Sequence, residues 1–302
     1  MKSDLGSRLE AVMNQRVAVI GTGRMGSALA AALLNKGFVT TVWNRTAAKT
    51  EPLSRIGGRV AKDTLEAVGQ AEVVIVNINN YDSTMQLLQR PEIESALRGK
   101  ILVQLSSGTP DEARQMQSWA RPLGIEYLDG AILSYPEGIG KPEAAVLYSG
   151  SEQLFQRVKS VLLAFGDNLM FVGDEIGHAS ALDIAALTWA MSAMMGFLQG
   201  YIVCEAENMP VERYMQLVKG LMPVLESSFA DLYARVGARD YGNTQAALET
   251  WSVGPREVIA WCKKHGVDHS IADPQLSLIG KAVKAGKGQA DFAYLYEVLK
   301  KV

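Results

Sequence analysis

The sequence has little cysteine and little histidine. Among 302 residues there are two Cys and three His. Cys204 and Cys262 show neither metal-ligand spacing nor a disulfide framework, which fits a reducing, cytoplasmic compartment. His178, His265 and His269 are scattered; the last two have helical spacing, but Gly266 lies between them, so no metal site is expected. Charge of one sign is not in excess either. A formal net charge of -2 leaves no electrostatic footprint for nucleic acid. Met1 to Gln15 is polar and lacks the apolar core of a signal segment. No internal repeat or low-complexity segment stands out. With 48% hydrophobic and 21% charged residues, the chain is long enough for two domains with real cores.

What the sequence does have is a glycine pattern in context. Val17-Ala18-Val19-Ile20 reads as a strand. Gly21-Thr22-Gly23-Arg24-Met25-Gly26 is a Gly-x-Gly-x-x-Gly turn, and Ser27 to Leu34 is a helix. Thr40 to Trp43 is a second strand. Gly21 permits the tight turn, Gly23 lets a pyrophosphate approach the backbone, and Gly26 lets helix and strand pack closely. The helix N-terminus offers free N–H groups and a positive dipole end to phosphates. A dinucleotide site is therefore expected. An NAD-preferring site places a carboxylate at the end of the second strand, on the ribose 2′-hydroxyl. Here Asn44-Arg45-Thr46 stands there, with Lys49 one turn on. Arg45 offers a planar fork, Thr46 a hydroxyl and Lys49 a point charge to a 2′-phosphate. The expected cofactor is NADP(H).

Strands and helices alternate up to Gly173. Val73 to Ile78, Ile101 to Leu105, Tyr127 to Ile132, Ala145 to Ser149 and Asn168 to Val172 read as strands. Short helices are expected near Ala47 to Arg55 and from Thr64, with Asp63 as a cap. Ser107 to Pro110 caps a helix that begins near Asp111. The expected class is α/β: a doubly wound, mainly parallel sheet over residues 1–173, a linking helix over 174–208, and a helical domain over 209–302.

From Ile184 to Cys204 run 21 residues without a charge. That length suits a membrane span. Ala, Gly, Ser, Thr and Gln dilute it, however, and no Lys or Arg cluster flanks it, so no membrane is expected. A helix apolar on all sides is instead buried in protein. Val211 to Val302 is too small to surround it. A second copy of the chain is the natural cover, and an intertwined homodimer is expected.

Four segments together carry a resemblance: Gly21 to Gly26 with Val42-Trp43-Asn44-Arg45-Thr46; Leu105-Ser106-Ser107-Gly108-Thr109-Pro110; Leu128-Asp129-Gly130-Ala131-Ile132; and Gly177 to Leu187 with Asp183. With them the chain resembles the imine reductase and reductive aminase family, an offshoot of the β-hydroxyacid dehydrogenases. The resemblance implies a Rossmann domain, a long interdomain helix and a helical C-terminal domain, interlocked in a dimer. It implies NADPH-dependent reduction of cyclic imines, or of imines formed from a carbonyl and an amine.

The chemistry needs a proton for the imine nitrogen, or a carboxylate to pair with an iminium. Asp183 suits both roles, as the only carboxylate between Glu175 and Glu205. On residues alone it stands evenly between that and a helix N-terminal Asp pairing with the dipole or a nearby Arg. The resemblance places the family's proton-donor position here. β-Hydroxyacid dehydrogenases need a lysine on this helix, and Ala181 stands at its position; no lysine occurs between Lys159 and Lys219. That argues against a hydroxyacid dehydrogenase, the nearest alternative. An alternative of another class is a non-catalytic NADP(H)-sensing protein.

Other candidates sit at strand ends and on the long helix. Asn77 and Ile78 close the strand Val73 to Ile78 at the cofactor edge, and Ser106 follows the strand Ile101 to Leu105, where its backbone or hydroxyl would hold the nicotinamide carboxamide. Asn80 either orients an amine or carbonyl or belongs to a plain turn. Leu187 and Met191 share a side with Asp183 and line either an apolar substrate pocket or core. Tyr135, Tyr241 and Trp251 are candidate aromatic walls.

Overall fold

The computed structural model describes residues 15–300, so most of the polar Met1 to Gln15 segment lies outside the described residues. Cα packing divides the chain into two units, one up to Thr188 and one from Trp189.

The first unit is built on one eight-stranded sheet. Its strands are β1 Arg16–Ile20, β2 Val39–Trp43, β3 Arg59–Val60, β4 Val73–Val76, β5 Ile101–Gln104, β6 Glu126–Ile132, β7 Ala145–Gly150 and β8 Asn168–Phe171, in the order β3-β2-β1-β4-β5-β6-β7-β8. All neighbours are parallel except β6 and β7. The strand order reverses between β1 and β4, and a crevice opens beyond the strand ends at such a point.

The central strands are continuous apolar runs because both faces are covered. Val17, Val19, Ile75 and Val103 face one core, with Leu29 and Leu33 of the helix Arg24–Asn35. Ala18, Ile20, Val74, Val76 and Leu102 face the other, with Met116 of the helix Pro110–Ala120. Helix starts are marked by side-chain caps. Asp63 accepts the Glu66 N–H at 2.7 Å, and Thr109 and Glu112 form a reciprocal capping box. The fourth strand is shorter than its apolar run suggests. It ends at Val76, and the Asn77 side chain beyond it donates to the Leu105 carbonyl at 2.6 Å. The segment expected to be helical from Ala47 is a 3₁₀ turn, Ala47–Thr50, followed by a single helical turn, Glu51–Ser54.

The helix His178–Ala206 has 29 residues and no polar side. Among the described residues it is the one helix long and apolar enough to cross a membrane by length and composition. In the second unit, Val211–Ala238 is followed by shorter helices, among them Val253–His265, Ala272–Lys284 and Leu295–Lys300. Leu248, Ile279, Ala282 and Leu295 form a small core there.

Candidate active site

Strand β1 runs into Gly21, whose N–H donates to the Trp43 carbonyl at 2.8 Å, while Asn77 N–H donates to the Ile20 carbonyl at 2.9 Å. Gly21 has φ +97°, and a Cβ there would collide with the Asn77 backbone. At Gly26 a Cβ would collide with the Gly21 carbonyl, whereas at Gly23 it would meet open space. Two glycines thus let the chain pack, and one leaves room for a ligand. The helix Arg24–Asn35 starts at Gly23 without a side-chain cap, so its first N–H groups are left for an anion.

A cavity of about 570 Å³ lies over this turn. Gly21, Gly23, Arg24, Met25, Asn44, Arg45, Thr46, Lys49, Asn77 and Ile78 all line it. Arg24, Arg45 and Lys49 bring three cations, and no carboxylate is among the lining residues. This donor set fits a dinucleotide with an additional phosphate.

Some expected residues support the cavity from beneath. Thr22 and Ser106 are buried. Thr22 N–H donates to Asn44 Oδ1 at 3.1 Å, and Asn44 Nδ2 donates to the Thr46 carbonyl at 3.0 Å. Asn44 thereby pins the glycine turn to the end of β2. The Ser106 hydroxyl accepts from Ile78 N–H at 3.0 Å and donates to Gln104 at 3.4 Å. Its oxygen braces the ends of β4 and β5.

Asp183 lies in the first unit and is only 7% exposed. Burial pushes its carboxyl above the usual range, which favours the protonated form. Below it lies a polar cluster that sequence reasoning missed. Asp129, on β6, is fully buried. It accepts hydrogen bonds from Tyr81, from Tyr127 at 2.8 Å and from Ser180 at 2.8 Å. Burial pushes Asp129 up to about 6, against the lowering effect of its three hydroxyl donors. The sequence did carry a signal: one carboxylate inside the apolar strand Tyr127 to Ile132.

Comparison with known proteins assigns the family. Residues 16–173 match the NAD binding domain of 6-phosphogluconate dehydrogenase, and residues 175–301 match the C-terminal domain of NADPH-dependent reductive aminase-like proteins. A NADPH-dependent reductive aminase from Aspergillus oryzae is 30% identical, over 95% of this chain and 98% of that protein. The imine reductase from Myxococcus stipitatus in complex with NADP+ is 43% identical, with a TM-score of 0.89 over 94% of this chain and all (100%) of that one. The chain belongs to the imine reductase and reductive aminase family. A further member, the reductive aminase from Aspergillus terreus in complex with NADPH4, cyclohexanone and allyl amine, is 28% identical, with a TM-score of 0.88 over 95% of this chain and 100% of that one.

In this imine reductase family member the expected substrate residues fall in different places. Asn80 caps the helix Tyr81–Leu88, its Oδ1 accepting from Ser83 N–H at 2.9 Å. Tyr135 follows β6 and is 79% exposed. Leu187 belongs to the first unit, Met191 to the second, and both are half-exposed. Tyr241 and Trp251 lie in the second unit. The Tyr241 hydroxyl donates to Glu297 at 2.7 Å, and the Trp251 ring packs on Phe292 at 5.1 Å between centroids. The Tyr241 hydroxyl is thus spent within its own unit.

Proposed function

We propose that this chain is an NADPH-dependent imine reductase that uses Asp183 as its proton donor. The observation that carries this reading is a desolvated carboxyl, the one carboxylate between Glu175 and Glu205 on the long helix, in the unit that holds the cation-lined nucleotide cavity. Ala181, where a hydroxyacid dehydrogenase carries lysine, supports reduction of C=N over oxidation of a hydroxyl.

In this reading the N–H groups after Gly23 receive the pyrophosphate, and Arg45, Thr46 and Lys49 receive the 2′-phosphate. Bound NADPH supplies the hydride to the C=N carbon. Asp183 holds the proton that the nitrogen gains. Substrates are cyclic imines, or imines formed from carbonyl plus amine; the ketone and amine named with the Aspergillus terreus relative support the second class.

A homodimer completes the enzyme. Leu187, Met191, Met194 and Leu198 follow helical spacing and are all about half-exposed, a stripe that a second copy would cover. The unpaired Cys204 and Cys262 support a cytoplasmic location.

The test is NADPH oxidation with a cyclic imine such as a pyrroline. Asp183→Ala should lower turnover by roughly 10²-fold or more, the scale of a lost general acid. Parent-like turnover in that variant would refute the assignment.

A further inference from the structure

The long helix His178–Ala206 has no polar side, so apolar packing does not fix its rotation. Burial of apolar surface is non-directional, and a helix of this kind covers a similar surface whichever way it is turned. Hydrogen bonds are directional. Two strand residues tie the first turn of this helix to the sheet by such bonds. Ser149, on β7, donates to the Ile176 carbonyl at 2.6 Å and accepts from Ala179 N–H at 3.1 Å. Ala179 N–H is among the first four donors that a helix leaves unpaired, so a residue of a distant strand caps this one. Asp129, on β6, accepts from the Ser180 hydroxyl at 2.8 Å.

Asp129 and Ser149 are register partners, so both ties spring from one place in the sheet. The side chains of Asp129, Ser149 and Ser180 are all buried. Ala179 packs on Ala131 and Leu147 between them, and its small side chain lets the helix backbone come close. The acceptor of the Ser180 bond is itself fixed. The Tyr81 and Tyr127 hydroxyls also donate to Asp129, and Tyr81 is wedged in place, because a Cβ at Gly108 would collide with its ring.

Asp183 stands one turn after Ser180, on the same side of the helix. Among the described residues nothing hydrogen-bonds its carboxyl; burial is what shifts it. Its place therefore follows from the helix backbone that carries it. A slip of one residue would rotate the helix by about 100° and carry the carboxyl to another side.

We infer that Ser180 is a positioning residue for the reaction: its bond to Asp129, with Ser149 capping the same turn, fixes the rotation of the long helix and so aims Asp183 at the imine nitrogen. This rests on the reading of Asp183 as proton donor. An anchor that served stability alone would affect every substrate alike. One that aims Asp183 matters where a proton must be given.

The experiment compares two substrates. One is a pyrroline in mildly alkaline buffer, where its nitrogen is unprotonated; its carbon takes hydride from NADPH and its nitrogen takes a proton. The other is the same ring N-methylated, an iminium salt that takes hydride alone. Ser180→Ala should lower kcat for the pyrroline roughly tenfold or more and hold kcat for the iminium within about twofold of the parent, because a small misplacement of a reacting group is costly. Affinity for NADPH, read by fluorescence titration, should not move, since Ser180 does not line the cavity. An equal loss on both substrates, or parent-like turnover of both, overturns the inference. Where Ser180→Ala does not fold, Ser149→Ala carries the test. It leaves the Ala179 N–H without its acceptor and should split the two substrates in the same direction; an equal loss, or none, again overturns the inference. Asp183→Asn runs in parallel. Parent-like turnover of the pyrroline there defeats the proton-donor reading itself. A disabled Asp183→Asn beside a Ser180→Ala that shows no split defeats only the role of Ser180.

Discussion

The Ser180 hydroxyl donates to the Asp129 carboxylate across 2.8 Å, joining a sheet strand to the helix that carries Asp183. The bond lies in a setting that leaves Asp129 with a folded-state value near 6, above its ordinary 3.8. The sign of the stability effect follows. Between those values the folded chain holds a proton that the unfolded chain releases. The contribution is therefore fully present in acid and is lost as pH rises through about 6, by up to about 3 kcal/mol. Asp129→Asn is neutral throughout and lacks this slope. Its melting temperature relative to the parent should rise between about pH 4 and about pH 8. Thermal unfolding across that range checks it, and a constant difference would contradict the assigned ionisation.

The three glycines of the turn should fail in different ways. Gly26→Ala drives a Cβ into the Gly21 carbonyl, backbone against backbone, and should destabilise the fold by about 3 kcal/mol. Gly23→Ala points its methyl into open space at an unstrained backbone with φ -67°. It should leave the melting temperature within about 1 °C while weakening NADPH roughly tenfold or more, because the methyl occupies the approach of the pyrophosphate. Thermal unfolding and fluorescence titration with NADPH separate the two outcomes.

Much of this was legible in the residues. The β-α-β turn, the buried central strands and the cap at Asp63 each depend on short-range chemistry, which local sequence states directly. Strand β3 was not legible. It is two exposed residues, Arg59 and Val60, that pair with β2 and show no apolar pattern of their own. The double duty of Asn44 and the bracing by Ser106 were also hidden. Each depends on a partner 22 or 28 residues away, Thr22 or Ile78, which only the closed sheet brings near. Asp129 illustrates the same limit. Its position in an apolar strand signalled something unusual, but its donors Tyr81 and Ser180 stand 48 and 51 residues distant.

Cofactor choice should rest on the end of β2. Arg45 and Lys49 line the cavity beside Asn44, with no carboxylate to meet a ribose 2′-hydroxyl. Arg45→Ala should raise KM for NADPH by about tenfold or more and leave that for NADH within about twofold, since a lost charge-assisted bond to phosphate is worth about 1.5–3 kcal/mol. Steady-state kinetics with both cofactors decides it. Equal weakening would assign Arg45 to a part of the cofactor that the two share.

Association should follow from the long helix. Trp189, Met191, Met194 and Leu198 are each about half or more exposed, on a helix with no polar side. Apolar surface on that scale drives burial against another surface. Light scattering at micromolar concentration should therefore give a species of twice the chain mass. Replacing Met194 and Leu198 together by Glu should shift that species toward the monomer, because two charges buried at an interface without partners cost several kcal/mol. The nucleotide cavity lies wholly within the first unit, so the double variant should still bind NADPH near the parent affinity. A parent that runs as a monomer would refute the dimer, and a double variant that stays dimeric would place the contact between copies elsewhere.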